Sequence, residues 1–276
     1  MKLSGAIVGA GVGPVDYVVE ARWLMAYSAA LGERDPLCYD TRRLEGPVAH
    51  PLFPVCYEWP LVLALRERSG LQALDAQVVH AQHDLAIHRP PRAGETLSLS
   101  SRIVAAVQRK PGALVVTRQE ARDAAGAPVT TTVQGSLYRG VTLENGRGCA
   151  EDPPAARGDL TAAGTIEVPA TLAHVYTECA RIRNPIHPDL AYALAAGLPG
   201  LILHGTATLA LAVSRLLESR AARFEQVRRV RCRFGAMVPM PCTLALLARH
   251  EGAASSFEVA RADGEQAIAR GTIDLV

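Results

Sequence analysis

Two stretches of this chain align without a gap, and that internal repeat limits its folds more than any other feature. Residues 21–40 read ARWLMAYSAALGERDPLCYD and residues 170–189 read ATLAHVYTECARIRNPIHPD. The tails match best, Asp35-Pro36-Leu37-Cys38-Tyr39-Asp40 against Asn184-Pro185-Ile186-His187-Pro188-Asp189. Downstream in each half a His and a small or turn residue precede an apolar helix, His50-Pro51 before Tyr57–Leu65 and His204-Gly205 before Thr206–Leu217. Each half then closes in β-rich sequence, where His88-Arg89-Pro90 and Gly94-Glu95-Thr96-Leu97 parallel Met237-Val238-Pro239 and Cys242-Thr243-Leu244. Three matching features in one order imply a duplicated module rather than two chance helices.

Periodicity fills in the module. Helical spacing covers Val19–Leu31, Tyr57–Arg68, Thr171–Ala180, Leu190–Ala196 and Thr206–Ser219. Strand-like segments are Thr96–Val107, Ala113–Arg122, Val129–Arg139, Val227–Phe234, Thr243–Arg249, Ser256–Arg261 and Ala267–Leu275, with hairpin turns at Pro111-Gly112 and Ala125–Pro128. Helices first and antiparallel strands after is an α+β pattern, a long helix laid on a curved sheet. Glycines and prolines between Glu144 and Gly164 mark a linker, so the expected division is residues 1–143, a linker at 144–164, and residues 165–276.

Bulk properties exclude several classes. Lys plus Arg is 29 and Asp plus Glu is 27, a net charge of +2, which excludes a strongly basic nucleic-acid binder. Six scattered cysteines (38, 56, 149, 179, 232, 242) have no metal spacing and read as reduced thiols of a cytoplasmic protein. The uncharged run Leu190–Ser214 is broken by Gly197, Pro199, Gly200 and Gly205, so no membrane span is expected. Gly9-Ala10-Gly11-Val12-Gly13 lacks the third glycine of a dinucleotide loop. His80, His83, Asp84 and His88 are close in sequence, but strand alternation would put His80 and His83 on opposite faces, and no metal site is expected.

The segment that carries chemistry is Arg183-Asn184-Pro185-Ile186-His187-Pro188-Asp189, followed by Gly197 and Ile202-Leu203-His204-Gly205-Thr206. It resembles the signature of the MaoC-like (R)-specific enoyl-CoA hydratase/dehydratase family. The resemblance extends more loosely to the first half through His88-Arg89-Pro90 and Ala93–Leu97. It implies a double hot-dog fold, two modules each wrapping a sheet round a long helix, and water addition to or removal from an acyl thioester of coenzyme A or a carrier protein. It further implies no cofactor beyond that carrier and a homodimer or higher homo-oligomer.

The chemistry explains the residue types. Adding water to a conjugated thioester needs an acid/base group and N–H donors aimed at the oxygen where charge develops. His187 suits the first task and the Gly205 amide, opening a helix, the second. Asn184 can hold the water or orient the loop. The family's catalytic Asp falls at Ile182 in this chain. Glu178 and Asp189 are the nearest carboxylates in sequence, and His204 is a further candidate support. In the first repeat Glu33 takes the Asp position but Cys38 the His position, and the two sites of a pseudo-dimer should lie apart, so Glu33 is not expected to complete His187. Arg229, Arg231 and Arg233 share one strand face and are candidates for the phosphates of coenzyme A. The apolar face of Tyr57–Leu65, with Trp59, is expected to line the acyl pocket. Three activities stay open: a hydratase/dehydratase, a thioester binder without turnover, and a hot-dog thioesterase.

Overall fold

The computed structural model describes residues 1–155 and 158–276. In chain order the strands are β1 (Lys2–Ser4), β2 (Gly11–Val18), β3 (Val78–Ile87), β4 (Thr96–Arg109), β5 (Gly112–Arg122), β6 (Pro128–Arg139), β7 (Thr142–Glu144), β8 (Thr161–Val168), β9 (Val227–Phe234), β10 (Cys242–Glu251), β11 (Ala254–Ala260) and β12 (Gln266–Leu275). The helices are α1 (Ala21–Ala30), α2 (Pro54–Arg68), α3 (Leu172–Ala180), α4 (Leu190–Ala195) and α5 (Gly205–Ser219). No helix of the described residues is long and apolar enough to cross a membrane.

Ten strands form one sheet in the order β2-β4-β5-β6-β3-β9-β12-β11-β10-β8. Read from either edge, the order is that of a first, third, fourth, fifth and second large strand. The sheet is therefore two copies of one five-stranded unit, joined where β3 and β9 pair antiparallel from Gln82↔Arg233 to Ala86↔Arg229. This is a double hot-dog, with α2 and α5 as the long helices of the two units. Each lays one stripe on the sheet. On α5 the buried residues Thr208, Leu209, Ala212, Val213 and Leu216 recur at helical spacing.

The repeat alignment holds in the backbone. Gly32 (φ 71°) ends the first copy of the helix and Arg181 (φ 59°) the second, both left-handed, and these two positions correspond in the alignment. A left-handed arginine is uncommon. Here it is held by Glu20 at 2.7 Å and by the Trp23 ring, 4.2 Å beneath its guanidinium. Tyr27 and Tyr176 also correspond, and their hydroxyls lie 3.3 Å apart. Equivalent residues that meet each other mark a twofold axis, and this pair places it between α1 and α3.

Several strands escaped the sequence reading. β2 is glycine-rich and mostly exposed, and β8 starts at Thr161, within the stretch read as linker. β3 carries a bulge between His80 and Gln82. The extra residue shifts the alternation, so His80 and His83 face the same side, with ring centroids 5.4 Å apart. The expectation of opposite faces is corrected on that ground. Among the described residues no group of three or more His, Cys, Asp or Glu is placed to hold a metal.

Candidate active site

The second half builds its site from the α3–α4 loop and the start of α5. Leu203 N–H donates to Val238 O at 2.8 Å and pins the approach to α5. His204 is the residue before the helix, and Gly205 is its first. A helix start leaves its first amides without intrahelical acceptors. Those of Gly205 and Thr206 find none among the described residues. A Cβ at Gly205 would lie 3.1 Å from the Phe234 ring, so glycine lets the turn sit against that ring. Tyr176 of α3 donates to Thr206 Oγ1 at 3.1 Å and ties the helix start to the twofold axis.

His187 reaches this helix start. Its ring stacks on that of His204 at 3.7 Å with an interplanar angle of 27°. A backbone carbonyl can only accept, so the 2.9 Å contact of Nδ1 with Ile202 O puts the proton on Nδ1 and leaves a lone pair on Nε2. Burial pushes the imidazolium pKa down to about 4, so the ring is a neutral base at pH 7. His204 Nε2 contacts Ile182 O at 3.3 Å and Thr177 Oγ1 at 3.4 Å, and burial and the neighbouring His187 hold it neutral too. His204 thus braces the loop and the ring of His187. Asn184 accepts from Ile186 N–H at 3.4 Å, and its carbonyl accepts from His187 N–H at 3.1 Å. Asn184 shapes the turn that presents the imidazole.

Among the described residues no carboxylate bonds to His187. The Ile182 side chain is 6% exposed. Glu178 is exposed and reaches Arg183 at 3.5 Å. Asp189 caps α4 by accepting from Tyr192 N–H at 3.0 Å. Both have local structural uses.

The first-half counterpart is a different cluster. Ser214 of α5 donates to Glu33 Oε1 and lies 3.1 Å from His50 Nε2. Leu52 N–H donates to His50 Nδ1 at 3.0 Å, so Nε2 carries the proton and the chain runs His50 to Ser214 to Glu33. The imidazole is therefore a donor here and leaves the serine unactivated. Glu33 is engaged in this cluster, on the far side of the twofold from His187. An open cavity of about 230 Å³ nearby is lined by Arg43, Arg89, Arg92 and Val48. Arg43 is paired with Glu225 at 3.3 Å, and Arg89 with Glu95 at 2.7 Å.

The arginine run of β9 has local partners. Arg229 forms a two-pronged pair with Asp84 at 2.7 and 2.8 Å, and Arg231 bonds Thr272 and Asp274 at 2.9 and 3.0 Å. Arg233 is exposed. These side chains alternate with Val230 and Cys232, which are buried in the core, so they stand on the sheet face away from the helices. Tyr57, Leu61 and Leu65 are core residues, while Trp59 is half-buried with Arg66 5.9 Å from its ring centre.

Buried neutral histidines give the protein a pH signature. Burial lowers His50 to about 3 and His83 and His187 to about 4, and lowers His80 and His204 as well. The ordinary value is 6.5, so below it the unfolded chain binds protons that the native state does not, and stability falls with pH. Two carboxyls act the other way. Burial raises Glu58 to about 7 and raises Glu33, so the native state holds those protons first and stability falls as pH rises from 4.5. Five histidines outweigh two carboxyls. Thermal melts should therefore show a steady loss of midpoint from about pH 6.5 to 4, each uncompensated group contributing about 1.4 kcal/mol per pH unit. A midpoint that is flat over this range would contradict the assignment of neutral rings.

Comparisons with known proteins agree with this architecture. Residues 6–132 match the model described as "FAS1-like, dehydratase domain region", and residues 165–269 match "MaoC like domain". No curated protein matches the chain by sequence. Among solved structures, a MaoC-like dehydratase from Phytophthora capsici superposes with a TM-score of 0.81 at 21% identity, covering 99% of this chain and 97% of that one. The full-length peroxisomal multifunctional enzyme type 2 of Drosophila melanogaster superposes with a TM-score of 0.72 at 20% identity. It covers 95% of this chain, which spans 48% of that enzyme. A Mycobacterium tuberculosis protein described as having a double hotdog fold gives 0.61 at 15% identity, over 98% and 96% of the two chains.

Proposed function

Since residues 165–269 match the MaoC like domain and the chain has a double hot-dog fold, we propose that it adds or removes water at the 2,3-position of an acyl thioester carried by coenzyme A or a carrier protein. The observation that supports this reading is the pairing of a free His187 Nε2 lone pair with the unpartnered amides at Gly205 and Thr206. Water gives a proton to Nε2 as its oxygen bonds the β-carbon. The electrons of the double bond move toward the thioester oxygen, where the Gly205 N–H donates. The imidazolium then returns the proton to the α-carbon, completing the addition of H and OH. Nothing is oxidised or reduced, so the reaction as written calls for no redox cofactor.

With Ile182 where the family has its acid, one imidazole carries both proton transfers, and the rate is expected to be slow. The test uses trans-2-enoyl-CoA esters of several chain lengths. Loss of the conjugated absorbance in the native protein supports the reading. Release of free thiol instead would move the assignment to a thioesterase, and tight binding without either signal would move it to a thioester-binding protein.

A further inference from the structure

The two halves differ most in their interiors, and the difference points at the substrate. On the helix-facing side of the first half a polar band crosses the sheet. Ser101 on β4 pairs with Gln119 on β5, and Gln119 with Thr132 on β6. One row over, His83 and His80 of β3 stand opposite Gln134 and Ser136. The band splits the core in two, with Leu85, Leu97, Leu99 and Ala121 on one side and Ile103, Val115 and Tyr138 on the other. Glu58 of α2 closes it from above, with Thr132 donating to Oε1 at 2.5 Å.

Three of these residues have nothing to bond. Both nitrogens of His83, both amide atoms of Gln119 and the hydroxyl of Ser101 are buried without a hydrogen-bond partner among the described residues. Their residues are only 1%, 1% and 2% exposed. Burying polar groups unpaired is costly, and native chains seldom do it without a use. The fold does not require it. In the corresponding interior of the second half Leu244, Leu246, Phe257, Val259 and Ile268 are apolar, and the buried Ser255 is hydrogen-bonded to Arg220 and His250. A cavity of about 20 Å³ lies between α2 and the band at Thr117, Gln134 and Ser136, room for about one water.

A chain of packed rings joins the band to the candidate active site. The Phe234 ring borders Gly205, the His80 ring lies 4.5 Å from Phe234, and His83 lies 5.4 Å beyond. This path starts at the amides assigned to the thioester oxygen and crosses the β9–β3 seam into the first half. Neutral imidazole, carboxamide and hydroxyl groups can both donate and accept, which suits hydroxyl and carbonyl oxygens better than a charged group.

Resting on the hydration reading above, we infer that the band recognises oxygen atoms along the acyl chain, so that the substrate is an oxygenated acyl thioester rather than a plain alkyl one. A site built to bond a substrate hydroxyl discriminates strongly against the analogue that lacks it. The native protein should therefore turn over trans-2-decenoyl thioesters of N-acetylcysteamine bearing a hydroxyl or oxo group mid-chain at least about tenfold more efficiently, in kcat/KM, than the unsubstituted ester. In the double variant Gln119→Leu, His83→Leu that preference should vanish or reverse. Its melting midpoint should hold or rise, because unpaired buried polar groups have been replaced by apolar ones.

Equal turnover of the two ester types by the native protein would overturn the inference. So would a preference that survives the double substitution, or a fall in midpoint in both that variant and the milder Ser101→Ala. If no ester is hydrated at all, the hydration reading fails by itself. The inference is then decided by calorimetry with the saturated hydroxylated and plain esters, where the same preference is expected and equal affinity overturns it.

Discussion

Replacing His187 by alanine should lower the hydration rate of an enoyl thioester by roughly 10²- to 10⁴-fold, the usual contribution of a positioned acid/base group. The loss should fall on kcat rather than KM, because the imidazole acts on water and the α-carbon and not on the carrier. The fold should tolerate the change, since Ile202 O and the His204 ring are the contacts removed. His187→Gln separates shape from proton transfer, because it keeps a polar side chain with no basic nitrogen. It should be nearly as slow as the alanine variant. Activity retained in both would sink the assignment of His187.

The second large effect is a gain. Ile182→Asp should raise kcat by about 10²-fold, the lower end of what an added acid/base group supplies. The Ile182 carbonyl already accepts from His204, so the backbone is placed, and only the side chain lacks chemistry. Burying a carboxyl has a cost, about 1–3 kcal/mol where it finds incomplete hydrogen bonding, so the melting midpoint should drop. Ile182→Asn is the matched control: similar shape and polarity, no exchangeable acid, and no gain. Combining Ile182→Asp with His187→Ala should erase most of the increase, because the two groups would share one water. An unchanged rate in the single Asp variant, with the fold intact, would show that the second half is not limited by a missing acid.

The duplication, the five helices and the His187–Gly205 neighbourhood were legible in the sequence because each is a local signal. Corresponding positions such as Gly32 and Arg181 share a backbone state even though the residues differ. What stayed hidden depends on register. The bulge at His80–Gln82 reverses the face of His80 with no composition cue, and the polar band exists only because β4, β5, β6 and β3 pair as they do. The Glu33–Ser214–His50 chain joins residues 181 and 164 positions apart along the sequence. Single residues such as Ser101 and Gln119 look like ordinary strand polar residues until pairing shows that they point inward. The arginines of β9 show the reverse case. Their alternation was readable, and their partners Asp84 and Asp274 were not.

The tyrosines that face each other across the axis have a consequence for history. A hot-dog that pairs with an identical copy repeats every substitution twice, so a change useful at one pocket is imposed on the other. Once two copies sit on one polypeptide, each can drift alone. One lobe has Glu33 and Cys38 at the positions where the other has Ile182 and His187, and only the first lines its interior with unpaired amide and imidazole groups. Covalent tethering frees the two lobes of one chain from having to be identical, and Tyr27 and Tyr176 meet at the axis that relates them.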